Sequence, residues 1–127
     1  MIENLALVGP EPATRQRLHA MLTTSTASVY RIGRGAVPLP VTATFDPSDQ
    51  PGSRSLLDWF EREVLDGRRD AVLVVDDWAL CEEQDAGLDF VVQWIAAFGP
   101  RRGMRVVVTA REWDEIPRRV RTLVTRS

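Results

Sequence analysis

The chain has 127 residues, 44% of them hydrophobic, which suits one domain spanning residues 1–127 and leaves too little for two. Its formal net charge of −2 argues against a nucleic-acid surface, and all 16 basic residues are arginine, so chemistry that requires a lysine is closed to it. Cys81 is the one cysteine, the start Met1-Ile-Glu-Asn is unlike a secretory leader, and no run nears the roughly 20 apolar residues that cross a bilayer; a cytoplasmic protein without membrane insertion is expected.

Asn4 to Val8 reads as a buried strand, stopped by Gly9-Pro-Glu-Pro because proline cannot donate to a ladder. A helix is predicted from Pro12 or Ala13, with Leu18, Met21 and Leu22 on its buried face. His19 falls on the polar side, with no cysteine or acid at ligand spacing, and reads as a surface residue. Val29 to Ile32 suits a short second strand, and Val41 to Phe45 alternates as an edge strand does. Between them, Arg31 and Arg34 beside Gly33 and Gly35 suit either an anion site or, more ordinarily, a solvated turn.

Asp46 to Gly52 has the composition of a loop, and Ser53 is placed to cap a helix running to Asp66, with Leu57, Phe60 and Val64 on one stripe and Gly67 as its stop. Ala71 to Val75 is apolar throughout, without the alternation of a half-exposed strand. It reads as a central strand buried on both faces, delivering Asp76 and Asp77 to the carboxyl edge of a sheet. After Trp78-Ala-Leu80, the segment Glu82 to Asp85 reads as an acidic loop. A helix follows with Leu88, Val91, Val92, Ile95 and Phe98 on one face, ending at Gly99-Pro100. Met104 to Thr109 is another buried strand, and Asp114 is placed to cap a last helix that turns Ile116, Val120, Leu123 and Val124 inward. Strand and helix alternate, which predicts an α/β three-layer sandwich with a mainly parallel sheet.

An apolar strand ending in two acids is the Walker B pattern, in which Asp76 would hold Mg²⁺ and Asp77 would orient a water. The plainer reading is that the two acids open a polar loop and cap the next turn. Gly9 to Gln16 after the first strand, Asp76-Asp77 after a middle strand and Thr109-Ala-Arg111 after the next occupy the three places where a P-loop NTPase keeps its chemistry. A working phosphate loop needs GxxxxGK[ST]. Aligned on Gly9, its last three places hold Thr14, Arg15 and Gln16, so the nucleotide-binding turn is degenerate. Pro10 and Pro12 remove two N–H donors, and a forked guanidinium is no substitute for a compact ammonium. Losing these contacts costs several kcal/mol of phosphate binding, at roughly 1.5–3 kcal/mol for each charge-assisted bond.

Val72 to Leu80, Gly103 to Trp113 and Ile116 to Leu123 resemble the C-terminal half of FtsK/SpoIIIE-type ATPase domains, and among them the EccC ATPase of type VII secretion. The resemblance covers residues 70–125 well, 4–22 loosely and 23–69 hardly at all. It implies a P-loop NTPase-like fold whose working members use ATP and Mg²⁺, with Asp76 as the metal ligand; for this chain no cofactor is expected outright. It matches Arg111 to a trans-acting arginine, whereas the residue's own surroundings suggest a salt bridge with nearby acids. Trp78 and Trp113 fall at the same edge and suit either partner anchors or core packing. The function implied is an ATPase-like domain with impaired nucleotide binding, a regulatory or interaction module for other ATPase domains or secretion components.

Two rivals remain at this level: a pseudo-receiver with Asp76 or Asp77 in the phosphoacceptor place, and a weakly active ATP-binding NTPase. The receiver lacks its acid pair, replaced by Gly9-Pro10, and its lysine. Strand order separates the folds, since a P-loop sheet sets another strand between the first and the Asp76-bearing one and a receiver sets them side by side.

Overall fold

A computed structural model describes residues 3–35, 39–66 and 70–127; the expected helix stop Gly67 lies outside them. In chain order the elements are β1 (Leu5–Val8), α1 (Glu11–Thr23), β2 (Ser28–Ile32), β3 (Ala43–Phe45), α2 (Gln50–Asp66), β4 (Ala71–Val75), α3 (Trp78–Gln84), α4 (Leu88–Phe98), β5 (Met104–Ala110), α5 (Arg118–Arg121) and β6 (Thr125–Arg126). The strands form one six-stranded sheet in the order β3-β2-β4-β5-β1-β6, and every pairing is parallel. β5 thus separates β1 from β4, as a P-loop sheet requires and a receiver forbids. Val72 to Val75 and Val106 to Val108, at the centre, are almost wholly buried, which is why their sequences lack alternation.

Period-two alternation sorts the strand side chains onto two faces. Leu73, Val75, Val106 and Val108 pack under α2, α3, α4 and α5 through Phe60, Trp78, Ile95 and Val120. Leu7, Val29, Val72, Val74 and Val107 face the other way, against Leu18 and Leu22 of α1 and against Leu39. Asn4 pins the open end of this sandwich. Its Nδ2 donates to the Ala96 carbonyl at 2.7 Å and the Leu123 carbonyl at 3.2 Å, while its Oδ1 accepts the Val106 N–H at 2.9 Å. Asn4→Ala is expected to cost about 1–3 kcal/mol in urea denaturation, because it strands a strand N–H in the core.

Several boundaries differ from expectation. Asp49, not Ser53, starts α2: its Oδ1 accepts the Gly52 N–H at 3.1 Å, whereas Ser53 lies inside the helix and donates to the Asp46 carbonyl at 3.2 Å. The acidic segment after Trp78 is helical up to Gln84, because the Asp77 side chain accepts the Leu80 N–H and caps it, with Trp78 and Cys81 buried. The last helix begins at Arg118 with Pro117 as its cap; Trp113–Glu115 ahead of it is a 3₁₀ turn held by a Glu112/Glu115 capping box, so Asp114 caps nothing. β6 was not foreseen. It adds to β1 by the Thr125 N–H to the Asn4 carbonyl at 2.9 Å and the Ser127 N–H to the Ala6 carbonyl at 2.8 Å. No helix among the described residues is long and apolar enough to cross a membrane.

Candidate functional site at the carboxyl edge

The alternation that buries Val29, Val72, Val74 and Val107 beneath α1 brings Arg31, Asp76 and Thr109 onto the same face, one step nearer the carboxyl edge. α1 crosses above them and lowers Arg15 into the group. The Asp76 carboxylate is consequently enclosed. Its Oδ2 accepts Arg15 Nη1 at 2.8 Å and Arg31 Nε at 2.9 Å and lies 2.8 Å from Arg31 Nη2 in the same ion pair, and its Oδ1 accepts the Thr109 hydroxyl at 2.9 Å. Asp76 is 6% exposed and Arg31 only 1%.

Arg31 does more than pair. Nη2 also donates to the Arg34 carbonyl at 3.0 Å and Nη1 to the Gly35 carbonyl at 3.2 Å, so one guanidinium fastens the turn after β2 to the end of β4. Gly33 makes room for it, since a Cβ there would stand 2.7 Å from the guanidinium carbon. The expectation of a solvated turn is therefore corrected for Arg31. Arg34 is exposed. An arginine alternating with Val29 and flanked by Ile32 was the available signal: pointing inward on a strand, it needs a buried carboxylate.

The turn after β1 is short. Gly9 takes φ of +146°, open to glycine, and α1 is already helical at Glu11. From Gly9 to Thr14, Pro10 and Pro12 have no N–H. Gly9 donates to the Ala110 carbonyl at 3.0 Å, and Ala13 and Thr14 donate to the Pro10 carbonyl at 3.1 Å each. At most the Glu11 amide is left, next to a carboxylate that itself takes Arg15 Nη2 at 3.1 Å. Thr14 is buried in α1 with its hydroxyl on the Glu11 carbonyl at 3.0 Å, and Gln16 is exposed. A small recess of about 30 Å³ remains between Gly9, Glu11, Arg15, Asp77, Thr109 and Arg111. A triphosphate needs a nest of several N–H groups and a cation held by a free carboxylate. The residues present do not fit Mg²⁺-ATP. Among the described residues, no group of three His, Cys, Asp or Glu side chains is placed to hold a metal ion.

Asp77 is half-buried with φ of +72°, and its N–H donates to the Thr109 hydroxyl at 2.7 Å. The chain thus leaves β4 through a left-handed residue, a conformation to which aspartate is better suited than most side chains. Trp78 is 0% exposed, with its indole N–H on Glu82 at 3.2 Å, so of its two expected roles the structure has core packing and the partner-anchor alternative is corrected. Trp113 is half-buried under Arg126, 5.4 Å from its ring centre, and Arg111 is exposed at the mouth of the recess. Cys81 lies below Asp76 with its thiol 3.5 Å from the Asp76 carbonyl and 3.7 Å from that of Ile32. Burial, aided by the charges of Asp76 and Asp77, pushes this thiol up to about 12, so it is protonated at neutral pH.

No protein-family model and no curated protein matches the chain. Solved structures do. EccC (ATPases 2 and 3) of Thermomonospora curvata, in complex with a signal sequence peptide, is similar over 94% of this chain with a TM-score of 0.70 and 21% identity. The cytoplasmic domain of EssC is similar over 98% with a TM-score of 0.77 and 14% identity, and EssC (ATPases 2 and 3) of Geobacillus thermodenitrificans over 96% with 0.65 and 9%. The chain spans 30% of the length of each of these three. At such identities the likeness is one of architecture, and its content is that this chain has the fold of the ATPase domains of the type VII secretion proteins EccC and EssC.

Proposed function

We propose that the chain is an ATPase-like domain of the FtsK/SpoIIIE and type VII secretion kind with impaired nucleotide binding, working mainly through protein contacts as an interaction or regulatory module. The observation that carries this reading is the state of Asp76, whose two oxygens are engaged by Arg15, Arg31 and Thr109 where a metal-holding carboxylate would have to be free. An active NTPase would have to expel both guanidinium groups and rebuild the turn at Gly9-Pro10.

Support for protein contacts comes from α4. Phe90 and Phe98, 62% and 53% exposed, share its outer face with half-buried Trp94, whose ring centre lies 5.3 Å from that of Phe98. Apolar surface of this kind is what protein partners cover. One of the similar structures, EccC, has a signal sequence peptide bound, and by analogy the partner class here is a protein segment from another ATPase domain or a secretion component. Trp113 and Arg111 are further candidate contacts at the carboxyl edge.

Isothermal titration with Mg²⁺-ATP tests the reading. No saturable binding is expected up to about 1 mM, a threshold of roughly 4 kcal/mol. Submillimolar affinity that Asp76→Asn abolishes would restore the NTPase reading in its place.

A further inference from the structure

We infer that Arg15 and Arg31 are the resident ligand of this site: the two guanidinium groups stand in for a bound cation and hold the carboxyl-edge loops in one arrangement that nucleotide neither makes nor breaks. The inference rests on the reading above and says what occupies the site. Asp76 is the hub of the arrangement. Through Arg15 it holds the first turn of α1, through Arg31 it holds the carbonyls of Arg34 and Gly35, and through the Thr109 hydroxyl it positions the Asp77 N–H at the cap of α3. Three segments far apart in sequence thus converge on one carboxylate, as they would around a metal.

The two arginines differ in exposure. Arg31 is sealed, with donors on the carboxylate and on two carbonyls, and has no alternative place to go. The Arg15 side chain is 24% exposed and shared with Glu11, so it is the member of the pair that can leave. A lysine would not hold the Arg31 position, because one ammonium cannot span Asp76 and the two carbonyls in the planar pattern that Arg31 satisfies.

Cys81 provides the readout. It is the one cysteine of the chain, 2% exposed, and its thiol contacts the carbonyls of Asp76 and Ile32 at the base of the cluster. Alkylation of the full chain by iodoacetamide therefore reports opening of the strand ends that the arginines hold. In Arg31→Lys the rate is expected to rise about tenfold or more, the factor implied by loss of one charge-assisted hydrogen bond, with a smaller rise in Arg15→Ala. In the parent chain millimolar Mg²⁺-ATP should leave the rate unchanged. Parent-like rates in both variants would overturn the inference while leaving the docking reading intact. If Arg31→Lys does not fold, Arg15→Ala decides alone, a rise supporting the inference and a parent-like rate overturning it. Slowing of the parent's alkylation by Mg²⁺-ATP would overturn the inference and the reading together.

Discussion

Arg31→Met is expected to lower the stability of the chain by about 3–5 kcal/mol, the cost of removing one partner of a buried ion pair. The size follows from what is left behind. Asp76 stays 6% exposed at the end of a fully buried strand, and the carbonyls of Arg34 and Gly35 lose the donor that ties them down. Arg15 still reaches the carboxylate, but as a partly exposed side chain shared with Glu11 it compensates only in part. Urea denaturation read by tryptophan fluorescence gives the number, provided the slope with denaturant is unchanged. The double variant Arg31→Met/Asp76→Leu should recover much of the loss, since an apolar pair in place of two buried charges is often neutral or better. Arg31→Met at parent stability would mean that the pair is solvated and that the enclosure of Asp76 is not what holds the edge together.

An edge fixed from within also bears on what the domain can do. In a nucleotide machine the carboxyl edge changes with the state of the bound phosphates, and the change is passed to partners. A carboxylate satisfied by two internal guanidinium groups has no such input. On the proposed reading, whatever binds this domain would meet the same surface with or without nucleotide, as a docking element requires.

Much of this was legible in the sequence because burial in a parallel sheet leaves a direct trace. Ala71 to Val75 had to be central, and Asp76 and Asp77 had to emerge at the edge. The defects of the Gly9 turn were equally visible, since prolines and missing lysines are read one residue at a time. The enclosure was not. It depends on which strands are neighbours: Arg31 meets Asp76 only because β2 pairs with β4, and residues 23–69 gave no firm topology. α3 left no periodic trace because it is only seven residues long, and the acidic run Glu82 to Asp85 reads as a loop although Glu and Gln are good helix formers. Its existence depends on the Asp77 cap and on burial of Trp78 and Cys81, which are tertiary facts. β6 is two exposed residues whose only recommendation is the free edge of β1.

Trp78→Ala separates the two roles that a tryptophan at this edge can have. A partner anchor would be dispensable for folding, whereas a core residue at 0% exposure should cost about 3–5 kcal/mol when truncated to alanine. The larger loss is expected, because the ring belongs to the cluster beneath α2, α3 and α4 and is the first residue of a helix only seven residues long. A helix so short has little stability of its own, and burial of Trp78 and Cys81 is what keeps it on the sheet. Trp78→Phe should cost less than Trp78→Ala, because it keeps one buried ring while losing the bond from the indole to Glu82 and leaving a smaller cavity. The consequence reaches the site, because α3 carries Asp77 at its head and Cys81 one turn on. Loosening α3 in Trp78→Ala should therefore speed Cys81 alkylation even under conditions where the rest of the chain stays folded. A Trp78→Ala chain with parent stability and a parent-like thiol would return the ring to the surface and reopen its use as an anchor.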